Sequence, residues 1–393
     1  MSSNDDRKLK IAHVITRMIV GGAQENTLLT IVGHLNKGHE VVLITGPTSG
    51  TEGNLFKNTN LPEFEIIEIP SLVREINPLK DFQAYRHIKK LCRERGFDVV
   101  HTHTSKAGVI GRAAAWHAGV KAVVHTVHGQ AFHPYQSKFN NWLYRTAERF
   151  AAKRCHRIYA VAQAMIDQCV EANIAPREKY QVVYSGMDIE DFINALPESE
   201  LRAELNIPAN VKVVGAIARL FEQKGYEYFI PVARKVLDVH PETHFLIVGD
   251  GPMRASIDAE IVKLNMKDKF HFAGLVAPSQ VCRYTALMDI LLHLSLHEGL
   301  PRCVVQALAC GKPAVGFALD GTPEVIIPGE TGFLASAGSI AEAAEGVNKI
   351  LNDPALALQM GKNGRQKVAA QFAAQTMCDI LETEFLRLTK TKN

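Results

Sequence analysis

Residues 297–324, HEGLPRCVVQALACGKPAVGFALDGTPE, hold the pattern that decides the fold. The apolar segment VVQALAC predicts a helix that ends at Gly311, and PAVGFAL predicts a buried strand. Pro301 suits the first position of that helix, where its missing N–H costs nothing. Residues 320–324 open the next helix. A helix–strand–helix order of this kind is typical of an α/β fold with a parallel sheet.

Both predicted helix starts are flanked by acids, Glu298 and Glu324. The free N–H groups at a helix start attract phosphate, whereas a carboxylate accepts hydrogen bonds from hydroxyl groups. The two features together suit a ligand with a phosphate end and a sugar end. The alternative is that Glu298 and Glu324 only cap their helices.

Strand and helix patterns alternate along the whole chain. The polar segment 189–205 contains Pro197 and predicts a linker, after which the alternation resumes near residue 211. We therefore expect an α/β protein with two doubly wound, Rossmann-like parallel-sheet domains that face each other across a cleft. The expected limits are 1–192 for the first domain and 193–372 for the second, with a helix in 373–393 that crosses back to the first.

Composition excludes several classes of protein. The net charge of +3 is too small to indicate nucleic-acid binding. No apolar run reaches the roughly 18 residues of a membrane span, and the polar start MSSNDDRKLK lacks a signal-peptide core. The seven cysteines include no CxxC pair, which indicates reduced thiols. These features lead us to expect a cytoplasmic protein.

Candidate ligand-binding groups follow the predicted strands, where ligands bind in such sheets. Arg219 and Lys224 suit a diphosphate, although they could also be two surface cations. The turn GDGP at 249–252 and the pair Gly21-Gly22 would let a ligand approach the backbone, or would serve as plain turns. His128 ends another predicted strand.

These motifs resemble the retaining glycosyltransferases of family 4, which have the two-domain GT-B fold. The second half resembles the family most specifically, over roughly residues 211–335, through ARLFEQKG, LIVGDGPM, FAGLV, HEGLPRCVVQALACGKPAV and DGTPEVI. The first half resembles it more loosely, through ITRMIVGGAQ, DVVHTH, VVHTVHG and YSGMD.

The resemblance implies sugar transfer from a nucleoside diphosphate sugar to an acceptor hydroxyl, with retained configuration and without metal or other cofactor. The acceptor would be a sugar, a lipid-linked group or a small molecule, and the reaction would serve the synthesis of a polysaccharide, glycolipid or other glycoconjugate. Arg219 and Lys224 would bind the diphosphate, and Glu298 would contact hydroxyl groups of the donor sugar. His128 would contact that sugar from the first domain. The other positions implied in donor binding are Gly21, Gly22, Gly249, Gly251, Gly274, Val276, Gly299, Leu300, Pro301, Gln306 and Glu324.

One position departs from the family pattern. Where the family has a second acid that holds the ribose hydroxyls, this chain has Gln306. An amide forms such hydrogen bonds without the charge, and a charge-assisted bond is about twice as strong as a neutral one. We expect weaker or altered nucleotide binding, by about 1 kcal/mol, with the chemistry retained.

Two further features have alternative interpretations. His101 and His103 point to one face of a predicted strand and are interpreted as packing residues, so no metal site is predicted. The predicted helix 138–157 is basic and carries Phe139, Trp142 and Phe150. It suits the surface of an anionic membrane and hence a lipid-linked acceptor, or else it faces the core with a solvated basic side.

Two other functions remain open from the sequence. A sugar-nucleotide epimerase on a similar scaffold would turn over without an acceptor. A non-catalytic nucleotide-sugar binding protein would explain Gln306 as decay, although Arg219, Lys224, His128 and Glu298 are all present.

Overall fold

The computed structural model describes residues 7–48, 55–58, 61–132 and 136–390. The strands are β1 (Lys10–Ile15), β2 (Glu40–Thr45), β3 (Glu65–Glu68), β4 (Val99–His103), β5 (Ala122–Val127), β6 (Arg157–Ala160), β7 (Tyr180–Val182), β8 (Val213–Ile217), β9 (His244–Val248), β10 (Phe270–Gly274), β11 (Ile290–His293), β12 (Ala314–Phe317) and β13 (Gly332–Ala335).

Helices alternate with these strands, and three helices end the chain. They are α1 (Gly22–Asn36), α2 (Pro78–Arg95), α3 (Ser105–Ala118), α4 (Lys138–Ala152), α5 (Gln163–Glu171), α6 (Glu190–Asn194), α7 (Ser199–Glu204), α8 (Tyr226–Val239), α9 (Arg254–Lys263), α10 (Val281–Ala286), α11 (Arg302–Ala309), α12 (Thr322–Val325), α13 (Ile340–Asn352), α14 (Pro354–Gln371) and α15 (Ala374–Lys390). Within the described ranges, no helix is long and apolar enough to cross a membrane.

The chain folds into two compact units, and the predicted class of two doubly wound parallel-sheet domains is confirmed. Unit 1 draws on residues 1–187 and 374–393, and unit 2 on 188–373. The expected limits after residues 192 and 372 stay predictions, and the division of contacts falls close to them.

Unit 1 is built on a parallel sheet with the strand order β3-β2-β1-β4-β5-β6-β7. Successive strands of β1, β4 and β5 are in direct register, with His13 beside His101 and His103 beside Thr126. One layer of the core joins strands β1, β4, β5 and β6 to the final helix α15, whose Met377, Leu381 and Phe385 pack against them. The strand residues in this layer are Ile11, Val99, Ala122, Val124 and Tyr159, and Leu9 just before β1 joins them.

Unit 2 is built on a second parallel sheet with the order β10-β9-β8-β11-β12-β13. Its strands are continuous apolar runs, which is typical of strands covered on both faces. Phe245 and Ile247 on β9 and Leu292 on β11 are examples of the strand residues in its core. Helix α8 buries Phe229 and Val236 against it. The strand order reverses between β8 and β11, so the loops that follow these two strands start side by side.

Several local predictions were wrong. The expected linker 189–205 contains α6 and α7, which belong to unit 2, with α6 in contact with α10 and α11. Strand β13 was not predicted, because its four residues GFLA are too short to show a period. Helix α4 ends at Ala152 rather than Arg157. By contrast, the predicted loop 46–62 is confirmed over its described residues, where one 3₁₀ turn at Leu55–Asn58 is the regular structure; residues 49–54 and 59–60 lie outside the described part.

Candidate functional site

The carboxyl edge of the unit 2 sheet gathers most of the predicted site residues. Arg219 follows β8, Gly249 and Gly251 follow β9, Gly274 ends β10, and Glu298 follows β11. Because parallel strands end at the same edge, residues from distant parts of the sequence come together there.

The loop between β8 and α8 is pressed against the end of β11. Gly225 has a φ of +81°, and a Cβ at this position would lie 2.0 Å from the carbonyl oxygen of Leu294. The backbone N–H of Leu296 donates to the carbonyl oxygen of Gln223 across the same gap, at 2.8 Å. Only glycine permits this approach, which carries Lys224 to the loop that holds Glu298.

Lys224 and Glu298 form an ion pair, with 2.7 Å between Nζ and Oε1. Both side chains are largely but not fully buried. Burial alone would raise the pKa of Glu298, but the Lys224 ammonium and the hydrogen bonds to the carboxylate outweigh it and hold that pKa below its ordinary value. Glu298 is therefore an ionised acceptor at neutral pH, and a lysine lies within reach of it.

A histidine and a cysteine lie behind this pair. His293 Nε2 is 3.9 Å from Glu298 Oε1, and His293 Nδ1 is 3.4 Å from Cys303 Sγ. Burial lowers the pKa of His293 to about 4 and raises the pKa of the Cys303 thiol to about 12. Both groups are neutral at physiological pH, so the charge that balances Glu298 is carried by Lys224.

Asp320 supports the loop of Glu298 in a way that the sequence did not reveal. The N–H of Glu298 donates to Asp320 Oδ2 at 2.8 Å, and the N–H of Gly321 donates to the carbonyl oxygen of Gly299 at 3.1 Å. Asp320 adopts a left-handed φ of +48°, which aspartate tolerates better than most residues. The available signal was the Asp-Gly pair, which is typical of a tight turn.

The glycines after β9 allow the loop of Arg219 to pack closely. A Cβ on Gly249 would lie 2.0 Å from the carbonyl oxygen of Ala218, and one on Gly251 would lie 2.5 Å from that of Leu220. The N–H of Leu220 in turn donates to the carbonyl oxygen of Asp250. These glycines therefore have a packing role. Exposed Arg219 lies beside them, with its guanidinium carbon 5.0 Å from the centroid of the Phe221 ring.

The predicted base-contacting residues adjoin this turn. The N–H of Gly249 donates to the carbonyl oxygen of Gly274 at 2.9 Å, and Gly274 has a φ of +69°. Val276 follows it and is half-buried. The two glycine turns are thus joined at the carboxyl ends of β9 and β10.

The remaining predicted residues lie around α11 and α12. Gly299 is half-buried, and Leu300 is buried. Pro301 precedes α11 as its N-cap, with a ψ of 94° that is not helical, so the prediction of Pro301 as the first helical residue was wrong. Gln306 lies half-buried on α11. Glu324 is on α12, whose single turn gives a much weaker helix start than the sequence implied.

Unit 1 holds the other predicted residues. Gly21 is the N-cap of α1 in an extended conformation, and exposed Gly22 is its first residue. His128 follows β5 and is half-buried. It adjoins a group of interior histidines, because His103 Nδ1 lies 3.0 Å from His128 Nε2. His13, His101 and His103 are fully buried, with one nitrogen of each within 4.8 Å of the others.

Two family models match the chain. The model described as Glycosyltransferase Family 4 matches residues 20–191, and the model described as Glycosyl transferases group 1 matches residues 197–367. The join between the two matches falls near the division between the two units.

Known proteins resemble most of the chain and match it over most of their own length. It is 28% identical to an Escherichia coli UDP-Gal:alpha-D-GlcNAc-diphosphoundecaprenol alpha-1,3-galactosyltransferase, over 98% of both chains. It is 24% identical to the Bacillus anthracis N-acetyl-alpha-D-glucosaminyl L-malate synthase, over 88% of this chain and 89% of that one. Among solved structures, Anabaena HepE in complex with UDP superposes with a TM-score of 0.79 at 24% identity, over 96% of this chain and 100% of that chain.

The fold of two Rossmann-like parallel-sheet units, together with the two family models, is that of a glycosyltransferase of the GT-B type. The family models match most of unit 1 and nearly all of unit 2, and the final helix α15 lies outside both matches. The chain belongs to the family 4 glycosyltransferases.

Proposed function

We propose that this glycosyltransferase moves a hexose from a uridine diphosphate sugar to a hydroxyl group of a lipid-linked sugar acceptor, with retention of configuration. The observation that carries the proposal is the Lys224–Glu298 pair at the carboxyl edge of the unit 2 sheet. The likeness to the E. coli galactosyltransferase along the whole chain supports the classes of donor and acceptor.

In the proposed reaction, Lys224 and Arg219 bind the diphosphate and stabilise the charge that develops as it leaves. The bond between the anomeric carbon and the β-phosphate oxygen breaks, and the electron pair remains on the diphosphate. The acceptor oxygen bonds to the same carbon from the same face, and its proton passes to the departing phosphate oxygen. His128 contacts the transferred sugar.

The carboxylates at the carboxyl edge of the unit 2 sheet favour direct transfer from the same face over a double displacement through a covalent intermediate. Glu298 is paired with Lys224 and suits sugar hydroxyls, which donate hydrogen bonds to an ionised acceptor. Asp320 is held by the backbone N–H of Glu298. A glycosidase-like mechanism would need a carboxylate across the reacting bond. We therefore propose retention without a covalent intermediate.

We also propose that transfer needs no metal ion, because two cationic side chains supply the positive charge that a metal gives in other transferases. Turnover measured after chelation and gel filtration should equal that of the untreated protein. Loss of turnover on chelation, with recovery on adding Mg²⁺ or Mn²⁺, would contradict this part of the proposal.

The test is a donor screen with a matched pair of variants. Purified protein is incubated with UDP-galactose, UDP-glucose or UDP-N-acetylglucosamine and an α-linked N-acetylglucosaminyl diphosphate lipid, and UDP release is measured. Lys224→Met should lower kcat by about 10²- to 10³-fold. Lys212→Met is the control. Lys212 pairs with Asp289 at 2.8 Å at the amino ends of β8 and β11, whereas Lys224 and Glu298 lie beyond the carboxyl ends of these strands.

Four results would contradict the proposal. Equal turnover without acceptor would indicate an epimerase or a hydrolase, and binding without turnover of any donor would indicate a binding protein. A product whose anomeric proton shows inversion by NMR would exclude retention. If Lys212→Met lowered turnover as much as Lys224→Met, turnover would depend on the overall charge of unit 2 rather than on the Lys224–Glu298 pair.

Helix α4 supports the lipid-linked acceptor. Phe139 and Trp142 are 68% and 59% exposed, so the alternative in which these aromatic side chains face the core was wrong. Residues 101–160 carry nine lysines and arginines against one acid, which favours an anionic surface. A second helix of unit 1, α2, also exposes apolar side chains, those of Leu79 and Phe82. Helix α3 lies between the two helices in the packing, because it contacts both α2 and α4.

We propose that α4 contacts the lipid surface, and co-sedimentation with vesicles tests it. The protein should pellet with vesicles that contain phosphatidylglycerol and much less with phosphatidylcholine alone. Phe139→Ser with Trp142→Ser should reduce pelleting. Leu358→Ser, on α14 of unit 2 and 77% exposed, is the control. Equal pelleting with the two kinds of vesicle would contradict the contact. Equal pelleting by the Phe139→Ser, Trp142→Ser double variant and the Leu358→Ser control would contradict it as well.

A further inference from the structure

Three imidazole rings form a hydrogen-bonded row inside unit 1. His13 Nδ1 is 3.0 Å from His103 Nε2, and His103 Nδ1 is 3.0 Å from His128 Nε2. The rings stack, with centroids 5.3 Å apart at both steps. His13 on β1 and His103 on β4 are fully buried, whereas His128 is only half-buried. The row therefore runs from the interior of the sheet to the candidate site residue.

The two hydrogen bonds of the row must point in the same direction. A neutral imidazole has one N–H donor and one lone-pair acceptor, so His103 donates on one side and accepts on the other. Burial lowers the pKa of His13 to about 3 and the pKa of His103 well below its ordinary value, which keeps both rings neutral. The row has only two possible directions, outward to His128 or inward to His13.

The inner end of the row decides between them. His13 Nε2 is buried and has no hydrogen-bond partner among the described residues. In the inward direction this atom would carry an N–H with no acceptor. In the outward direction it keeps only an unused lone pair, and buried donors without acceptors are the rarer defect in proteins.

We propose that His13 and His103 position His128 by fixing its tautomer. His103 Nδ1–H donates to His128 Nε2, so His128 carries its proton on Nδ1. The hydrogen bond at one ring nitrogen determines which atom of the other is protonated. His128 then offers a donor at Nδ1 and has no lone pair left for taking a proton from an acceptor hydroxyl.

One consequence rests on the proposed function. With its proton on Nδ1, His128 can donate a hydrogen bond to a hydroxyl oxygen of the transferred sugar. It cannot act as the general base, which agrees with proton transfer to the departing phosphate. His103 and His13 are positioning residues, because they act through His128 and do not touch the sugar themselves.

The tautomer can be measured in the unaltered protein, without any substrate. Protein labelled with ¹⁵N in histidine is studied at neutral pH by long-range ¹H–¹⁵N correlation NMR, which separates a protonated ring nitrogen from a bare one. The signals of His128 are identified by their loss in His128→Gln. We expect His128 to have a protonated Nδ1 and a bare Nε2. The opposite tautomer would overturn the proposal.

Two substitutions of His103 separate positioning from structural support. The amide nitrogen of Asn occupies nearly the place of imidazole Nδ1, so His103→Asn should preserve the donor and the tautomer of His128. His103→Leu lacks the donor and should move the proton of His128 to Nε2. Circular dichroism verifies folding of each variant. Retention of the Nδ1–H form in a folded His103→Leu would overturn the proposal.

Two further readouts complete the test. If the proposed transfer is observed, His103→Leu should lower kcat about tenfold with little change in KM, and His103→Asn should restore most of it. Absence of transfer with every donor would defeat the proposed function but not the tautomer assignment. Elemental analysis should find no stoichiometric zinc. One zinc per chain would overturn the row, because an ion near His13, His101 and His103 would occupy its lone pairs.

Discussion

The two units use their polar groups in opposite ways. In unit 2, Lys224 and Glu298 are charged and lie on loops at the edge of the sheet. In unit 1, His13 and His103 are neutral and lie within the strands, and only His128 at the end of their row is half-exposed. Groups on loops can meet a ligand directly, whereas groups within strands act through a neighbour. The comparison predicts that acid, mutation and ligand affect the two units differently.

The largest difference is expected on acidification. Burial lowers the pKa values of several histidines in unit 1, namely His13, His34, His101, His103 and His125. Below pH 6.5, the ordinary pKa of histidine, these side chains take up protons in the unfolded chain but not in the folded one. Stability must therefore fall as the pH drops below 6.5. At about 1.4 kcal/mol per group and pH unit, the loss by pH 5.5 is on the order of 5 kcal/mol.

Unit 2 should lose less over the same range. The described histidines with lowered pKa values there are His244, His271 and His293. The pKa of Glu298 lies below its ordinary 4.5, so its stabilising contribution is lost only as the pH falls through that lower value.

Tryptophan fluorescence measures the loss in unit 1, because Trp116 and Trp142, the two tryptophans of the chain, both belong to it. Urea titrations at pH 7 and pH 5.5 should show a much larger drop in the fluorescence midpoint than in a circular dichroism transition assigned to unit 2. Equal shifts of the two transitions would contradict the difference between the units.

The next largest effect concerns the buried ion pair of unit 1. Arg112 on α3 is fully buried, and its guanidinium bonds Glu148 on α4 at 2.7 Å. Arg112→Met leaves that carboxylate without its cation and should lower the free energy of unfolding of unit 1 by about 3–5 kcal/mol. Arg112→Met with Glu148→Met should recover most of the loss.

Arg234→Met in unit 2 is the control for this pair. Arg234 and Asp238 form a largely exposed pair on α8 and should contribute less than about 1 kcal/mol. Urea unfolding monitored by fluorescence and circular dichroism compares the variants. A similar small loss from Arg112→Met would show that the buried pair does not hold α4 to α3.

The smallest effect is expected at Gln306. Gln306→Glu restores the charge of the family pattern and should tighten UDP binding by about 1 kcal/mol, roughly fivefold. Gln359→Glu, at an exposed position of α14, adds the same charge elsewhere in unit 2. Calorimetric titration with UDP measures both variants. If UDP affinity is unchanged or lower in Gln306→Glu, Gln306 does not contact the ribose.

The sequence was sufficient to predict the fold and most of the candidate site residues at the carboxyl edge of the unit 2 sheet. Continuous apolar strands alternate with helices, and Lys224 and Glu298 belong to motifs with fixed spacing. The resemblance implied that both residues bind the donor, but their ion pair and its physical reason, the approach of Gly225 to Leu294, needed coordinates. The role of Asp320 was also missed, because a side chain that accepts from a backbone N–H 22 residues away leaves no local pattern.

The interior of unit 1 could not be predicted in the same way. His101 and His103 were interpreted as packing residues, and neither His13 nor its bond to His103 was suggested by spacing. Register between β1 and β4 brings these residues together, and register is a tertiary property. Short β13 and the helices of the expected linker were missed for a related reason, since their stability comes from packing rather than from local pattern.

The most direct test of the central claim is the affinity of UDP for three proteins, measured by isothermal titration calorimetry: the unaltered chain, Lys224→Met and Lys212→Met. We predict that Lys224→Met weakens binding at least about tenfold, because a charge-assisted bond to the diphosphate is lost. Lys212→Met, at the opposite ends of the same strands, should bind like the unaltered chain. Equal affinities of all three proteins would contradict a diphosphate site at the carboxyl edge of unit 2.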